Sequence, residues 1–167
     1  MAGDLERVLE ALGRAEVRLL VVGGVAVVLH GHLRVTADLD LVVQLDEENV
    51  LRALRALEAL GYRSRAPVPM RAFADPATRE TWAREKGLTV FSLWSDRFPQ
   101  LEVDLFASEP FEFGEAYARA ARVPLGGLDV AVASLDDLIA LKEAAGRPQD
   151  RADVEALRAL RDEGSLR

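Results

Sequence analysis

Apolar and polar positions along the chain follow two periods. Leu5, Val8, Leu9 and Leu12 recur at helical spacing behind Asp4, which predicts a first helix capped by Asp4. Leu19 to Val22 is an unbroken apolar run of strand length. Gly23-Gly24 follows it, and Val25 to Leu29 reads as the start of a short helix closing near Gly31. Asp38-Leu39-Asp40-Leu41 then alternates with period two, so a strand there carries both carboxylates on one face and both leucines on the other. Val50, Leu51, Leu54, Leu57 and Leu60 predict a second covering helix over Glu47 to Leu60, ended by Gly61.

The second half continues the alternation of elements. Tyr62 to Arg65 reads as a short strand, after which Pro67 and Pro69 interrupt regular structure. Asp75-Pro76 supplies the cap and first residue of a helix running to Lys86 and stopped by Gly87. Leu88 to Trp94 and Leu101 to Phe106 have strand composition and predict a hairpin. A second hairpin is predicted from Val123 to Ala133, turning at Gly126-Gly127. Ser134 with Asp137 opens a helix bearing Leu138, Ile139 and Leu141 and ending at Gly146. A last helix is expected from Arg151, capped by Asp150, with Val154, Leu157 and Leu160 as its apolar face and a fraying tail from Glu163 to Arg167. The pattern predicts a single α+β domain over residues 1–167: a small mixed sheet with carboxylates on one face and helices on the other.

Composition narrows the chemistry. Half of the 167 residues are apolar, enough for one sizeable core, and cysteine is absent, which excludes disulfides and thiolate metal sites. The net charge of −7 argues against a chain devoted to nonspecific nucleic-acid binding. The N-terminal residues show no signal-like pattern, and Leu19 to Leu29 is too short to span a bilayer and broken by glycines. A cytoplasmic protein with no membrane association is expected. Of the 21 cationic side chains only Lys86 and Lys142 are lysine. Arg71, Arg79, Arg84 and Lys86 form the densest cationic patch, which reads as a solvated helix face rather than a substrate surface. His30 and His32 read as residues of a helix C-terminus.

The sharpest chemistry lies in the acidic strand. At roughly 7 Å, two carboxylates on one strand face repel by about 2 kcal/mol at an effective dielectric near 20. Solvent, arginine or a divalent cation must offset that, and Mg²⁺ is typically bound through one or two carboxylates plus substrate phosphates. A strand, a glycine turn and a helix start also place backbone N–H groups where an anion can approach. The plainer alternatives are a wetted acidic edge strand and a tight turn.

Taken together, Gly23-Gly24 and the Asp38 to Leu41 tetrad resemble the signature of the nucleotidyltransferase superfamily that includes DNA polymerase beta. The run from Gly23 to Leu41, with its His30-Gly31, Arg34 and Thr36, is similar to small prokaryotic members, among them the abortive-infection-type nucleotidyltransferases of toxin–antitoxin systems. The likeness extends to aminoglycoside and lincosamide nucleotidyltransferases. Many members carry Ser where this chain has Gly24, so a hydroxyl contact to phosphate from that position is lost. The stretch Leu138 to Leu157 is the second similar region, with Lys142, Arg147, Asp150 and Asp153 at the family's Lys, Arg and acidic positions.

The resemblance implies transfer of a nucleotidyl group from an NTP to an acceptor hydroxyl, with Mg²⁺ or Mn²⁺ held by Asp38 and Asp40. A third carboxylate on a neighbouring strand, best matched by Asp104 with Glu102 as fallback, would complete the metal site or take the acceptor's proton. Gly23, Gly24, Arg34, Thr36 and Lys142 would bind the nucleotide. Lys142 would then be dispensable for stability, while Asp150 and Asp153 read equally well as helix-capping and first-turn charges. The acceptor stays open among RNA, protein and small molecule. The alternative is a non-catalytic domain that binds a nucleotide or a cognate protein partner, as in a toxin–antitoxin pair; an Asp104 turned away or locked to an arginine would favour it.

Overall fold

A computed structural model of the chain describes residues 2–165. Its elements in order are α1 (Ala2–Arg14), β1 (Leu19–Val22), α2 (Gly23–Leu29), β2 (Asp38–Val43), α3 (Glu47–Ala59), β3 (Arg63–Ser64), a 3-10 turn (Met70–Ala74), α4 (Pro76–Lys86), β4 (Val90–Trp94), β5 (Glu102–Phe106), α5 (Phe113–Ala118), β6 (Ala121–Leu125), β7 (Leu128–Val132), α6 (Leu135–Ala145) and α7 (Pro148–Ser165). The strands form one seven-stranded mixed sheet in the order β3-β4-β5-β2-β1-β7-β6. β1 pairs antiparallel to β2 and parallel to β7, and β2 pairs parallel to β5. The α+β architecture is therefore the one the periodicity predicts.

Local chemistry explains most boundaries. Asp46 caps α3 by accepting the Asn49 N–H at 3.0 Å, and Gly61, with φ of 85°, ends it. Asn49 is buried and ties α3 to the sheet: its Oδ1 accepts from Arg18 N at 2.8 Å, and its Nδ2 donates to the Arg18 and Gln44 carbonyls at 3.0 and 2.9 Å. Gly126 and Gly127, with φ of 57° and 84°, close the β6–β7 hairpin as a turn with two left-handed residues. Ser134 accepts the Asp137 N–H at 3.1 Å and starts α6 as anticipated.

Several expectations need correction. α1 begins at Ala2, so Asp4 stands in its first turn, a favourable end of the helix dipole, rather than at the cap. α7 begins at Pro148, not Arg151; Asp150 lies inside its first turn and reaches back to the Arg147 N–H at 3.1 Å. α7 continues through Ser165, where a frayed tail was expected; residues 166 and 167 lie outside the described range. The six-residue α5 and the 3-10 turn were not anticipated; both bury phenylalanines, Phe113 and Phe73. Arg79 does not belong to a solvated face: it is 6% exposed and donates to the Phe73 carbonyl at 2.7 Å and the Leu45 carbonyl at 3.3 Å.

The core fills one side of the strands that carry the acidic groups. Leu39, Leu41, Val103 and Leu105 are fully buried, and each alternates with a half-buried acidic residue. Phe91 on β4 continues that layer and stacks on Phe73 and Trp82 at centroid distances of 4.8 and 5.6 Å. No helix among the described residues is long and apolar enough to cross a membrane.

Candidate nucleotide-binding cleft

Register brings the acidic residues together. β2 and β5 run parallel with Asp38 opposite Glu102 and Asp40 opposite Asp104, so all four face away from the leucine layer. The two acidic residues of β5 then diverge in environment. Glu102 is held in an ion pair by Arg65 and is exposed enough to be a surface contact. Asp104 has no such partner: its Oδ1 is buried without a hydrogen-bond partner.

Electrostatics single out Asp40 and Asp104. Burial, followed by the neighbouring charges of Asp104 and Asp38, raises the pKa of Asp40 from 3.8 to about 7, against the pull of Lys142 and Arg147. Burial is also the main cause that raises Asp104, with Asp38 and Glu102 adding repulsion and hydrogen bonding by Ser92 and Asp40 opposing it. Carboxylates this short of compensation favour a proton or a cation.

The glycine turn lies against this pair. Gly23 has φ of 69°, and a Cβ there would overlap the Asp40 carboxylate, so only glycine allows β1 to pass into α2 at this point. α2 starts at Gly23 itself and has only seven residues, without a side-chain cap. The segment leading into β2 is extended. Arg34 and Thr36 turn toward Gly24, whereas Leu33 and Val35 are 87% and 93% exposed. His30 is structural, its Nε2 donating to the Ala133 carbonyl at 2.8 Å.

The opposite wall comes from α6 and α7. Lys142 is buried, with Nζ 2.9 Å from Asp153 Oδ2 and 3.5 Å from Asp150 Oδ1. Asp153 also accepts from Arg34 Nη1 at 2.7 Å, and Asp150 from Arg147 Nε at 2.7 Å. Lys142 is thus neither an exposed helix charge nor a free one; Asp150 and Asp153 are members of a buried ion network, and Asp150 also caps the first turn of α7 through the Arg147 N–H. Arg147 holds Asp150 below the usual carboxylate range.

Between the walls lies a cleft of ≈ 790 Å³. Every residue marked from sequence as a metal or nucleotide contact lines it: Gly23, Gly24, Arg34, Thr36, Asp38, Asp40, Asp104 and Lys142. Arg147 and Asp150 also line it, as do the apolar side chains of Leu88, Val90, Phe106 and Pro110. Among the described residues no three Asp, Glu, His or Cys side chains form a group able to hold a metal ion by themselves. The donor set nonetheless suits a hard cation that takes its remaining ligands from phosphate: hard oxygen donors, one of them orphaned and one with its ionisation suppressed.

Paired acidic strands beside a strand–Gly-Gly–helix turn, on a mixed sheet, define a nucleotidyltransferase fold. The chain belongs to the family described as "Nucleotidyltransferase of unknown function (DUF6036)", whose model matches residues 4–163. No curated protein matches the sequence. Among solved structures, the chain is similar to the lincosamide antibiotic adenylyltransferase LnuA bound to lincomycin, with a TM-score of 0.63 and 14% identity over 96% of this chain and 98% of that one. It is also similar to ANT(2″)-Ia in complex with adenylyl-2″-tobramycin, with a TM-score of 0.58 and 18% identity over 97% and 95% of the two chains. TM1012 from Thermotoga maritima gives a TM-score of 0.54 at 16% identity, over 98% and 91%.

Proposed function

We propose that residues 1–167 work as one nucleotidyltransferase domain that moves a nucleotidyl group from an NTP to a hydroxyl of a small-molecule acceptor, with Mg²⁺ or Mn²⁺. The observation that carries this reading is the in-register pairing of Asp40 with Asp104 inside a cleft also lined by Gly23, Gly24 and the cations of the helix wall. Asp104 is not locked to an arginine, and its Oδ1 is free to accept. That arrangement favours catalysis over binding alone.

In this reading Asp38 and Asp40 hold the cation and Asp104 completes its site or accepts the proton of the attacking hydroxyl. The cation, when bound, neutralises the triphosphate and supports in-line displacement. The acceptor oxygen forms a bond to the α-phosphorus as the bond from that phosphorus to the bridging oxygen breaks, and pyrophosphate leaves. Gly23 and Gly24 let the phosphates approach the backbone closely. Most of the rate comes from positioning and fixed charge, because no covalent enzyme intermediate is needed.

A small acceptor is favoured by the lining of the cleft. Leu88, Val90, Phe106 and Pro110 contribute apolar surface to it, and among the described residues Arg34, Lys142 and Arg147 are the only cationic side chains lining it. A polynucleotide acceptor would draw on a longer track of phosphate contacts. The two antibiotic adenylyltransferases of the same fold make ATP the first donor to try.

The test is to incubate the protein with each α-labelled NTP and Mg²⁺ and to offer lincosamides, aminoglycosides, total RNA and a cell extract separately. Label moving to a small molecule, with pyrophosphate released, is the expected result, and Asp104→Asn should nearly stop it while leaving NTP binding largely intact. Label in RNA would instead support the abortive-infection type. NTP binding without transfer under any condition would leave the non-catalytic reading.

A further inference from the structure

The face of the sheet that carries the carboxylates does not stay acidic along its length. Asp104 stands opposite Ser92, and two residues further along the same pair of strands Phe106 stands opposite Val90. Side chains alternate, so all four share the face turned away from the core. With alternate residues of a strand roughly 7 Å apart, a half-buried apolar pair borders Asp104. The ladder runs on past the strands: Ala107 N donates to the Thr89 carbonyl at 2.9 Å, and Leu88 then joins the lining of the cleft. In the other direction along β5 stands Glu102, which is held by Arg65 and does not line the cleft. A molecule that sets a hydroxyl at Asp104 and stays in the cleft, clear of the nucleotide, therefore lies over Phe106, Val90 and Leu88.

This lobe carries no charge beyond Asp104. Among the described residues, Thr89 and Ser108 are its other polar side chains that line the cleft. The cations of the cleft, Arg34, Lys142 and Arg147, come from the segment before β2 and from the helix wall, and each is bonded to Asp150 or Asp153. The sheet order separates the two regions, with β5 and β4 on one side of β2 and β1, which leads into the glycine turn, on the other. Asp38 and Asp40 belong to the proposed cation, and Asp150 is taken by Arg147 at 2.7 Å. An ammonium group placed over Val90 and Phe106 would lose water and gain no carboxylate, and a phosphate there would gain no cation. A hydrocarbon frame gains by the same burial.

We infer that the acceptor is an uncharged alcohol with a hydrocarbon frame, which rests on Leu88, Val90 and Phe106 and presents its hydroxyl to Asp104. The inference rests on the nucleotidyltransferase reading and narrows it from small molecules in general to one class, leaving out acceptors that carry several ammonium groups. The acceptor oxygen bonds to the α-phosphorus, the bond to the bridging oxygen breaks as pyrophosphate leaves, and the hydroxyl proton passes to Asp104.

Amide chemical shifts of the full chain, saturated with Mg²⁺ and an NTP, test this with three simple probes: cyclohexanol, trans-4-aminocyclohexanol and glucose 6-phosphate. Cyclohexanol should move the amides of Leu88, Val90 and Phe106. The amino alcohol, which has the same ring and hydroxyl and an added ammonium, should bind at least about tenfold more weakly, and glucose 6-phosphate should leave these amides in place. Val90→Asp puts a carboxylate in the lobe and should reverse the order of the first two probes, whereas the uncharged Val90→Asn should weaken cyclohexanol without helping the amine. Tighter binding of the amine or the phosphate to the wild type would overturn the inference, as would cyclohexanol leaving all three amides unmoved, or no gain for the amine in Val90→Asp over Val90→Asn. Each of these leaves the wider reading standing. Failure of all four Mg²⁺-NTPs to move the amides of Gly23 and Gly24 would instead sink the wider reading itself.

Discussion

The two walls of the cleft are both made of charge removed from water, and they treat it oppositely. On the strand wall Asp38, Asp40 and Asp104 stand near one another with no cationic side chain of the described residues bonded to them, and burial, followed by the charges of Asp104 and Asp38, raises the pKa of Asp40 to about 7. On the helix wall Lys142 and Arg147, joined by Arg34 from the segment before β2, are bonded to Asp150 and Asp153 in one connected network. Three cations against two carboxylates leave that network one positive charge in excess, facing a wall with three carboxyl groups. The difference separates two uses of burial. The helix wall is held together by its own charges, whereas the strand wall is kept in a state that a cation relieves.

The largest effect should come from breaking the helix wall. Lys142→Ala leaves two buried carboxylates with one cation each, and loss of a partner in a buried pair costs about 3–5 kcal/mol. Urea unfolding should show a loss near the lower end, because Arg34 and Arg147 remain. An unchanged midpoint would return Lys142 to the role of a dispensable surface charge. Burial is what reverses the sequence-based expectation of unchanged stability.

Filling the strand wall should act in the opposite direction. Mg²⁺ with NTP at about a hundred times its dissociation constant stabilises a protein by about 2.7 kcal/mol when it binds only the folded state. The melting temperature should rise accordingly in the wild type and not in Asp38→Asn/Asp40→Asn. Equal shifts in both proteins would mean that the acidic pair is not the site.

A smaller signature lies in pH. An unfolded Asp titrates near 3.8 and the folded Asp40 at about 7, so across that window the folded chain holds the extra proton. Stability of the cation-free protein therefore falls as pH rises through the window, by up to about 1.4 kcal/mol per unit. Asp104 adds to the same slope, and Asp150, shifted the other way, acts below it. Melting temperatures in EDTA should show the slope, and Asp40→Asn should flatten much of it; parallel profiles would count against uncompensated burial. The smallest effect belongs to Glu102→Gln, which removes an exposed pair with Arg65 and should change stability by less than about 1 kcal/mol without altering NTP affinity.

How much of this was legible in the chain differs between the walls. The strand wall was readable because period-two alternation fixes the face of Asp38 and Asp40, and an Asp between Val103 and Leu105 is hard to place in a core. The pairing of Asp40 with Asp104 was not readable, since strand register across some sixty residues depends on tertiary packing. The helix wall carries a signal of its own in the sequence. Lys142 follows Leu135 by seven residues and Leu138 by four, which places it on the buried face of α6, and Asp150 and Asp153 share a face of α7 at a spacing of three. Arg79 failed for a related reason: its partners are the carbonyls of Leu45 and Phe73, which no charge pattern reveals. α5 is too short to show a helical period.

The bond from Arg34 to Asp153 joins residues 119 apart in sequence. A closure of that span gains nothing until most of the chain between has been ordered, so the cleft belongs to the slow, non-local part of folding. A nascent chain or a fragment lacking α7 has the glycine turn and the acidic strand but not the wall that faces them. The two walls of the cleft therefore face one another only once the last helix has docked.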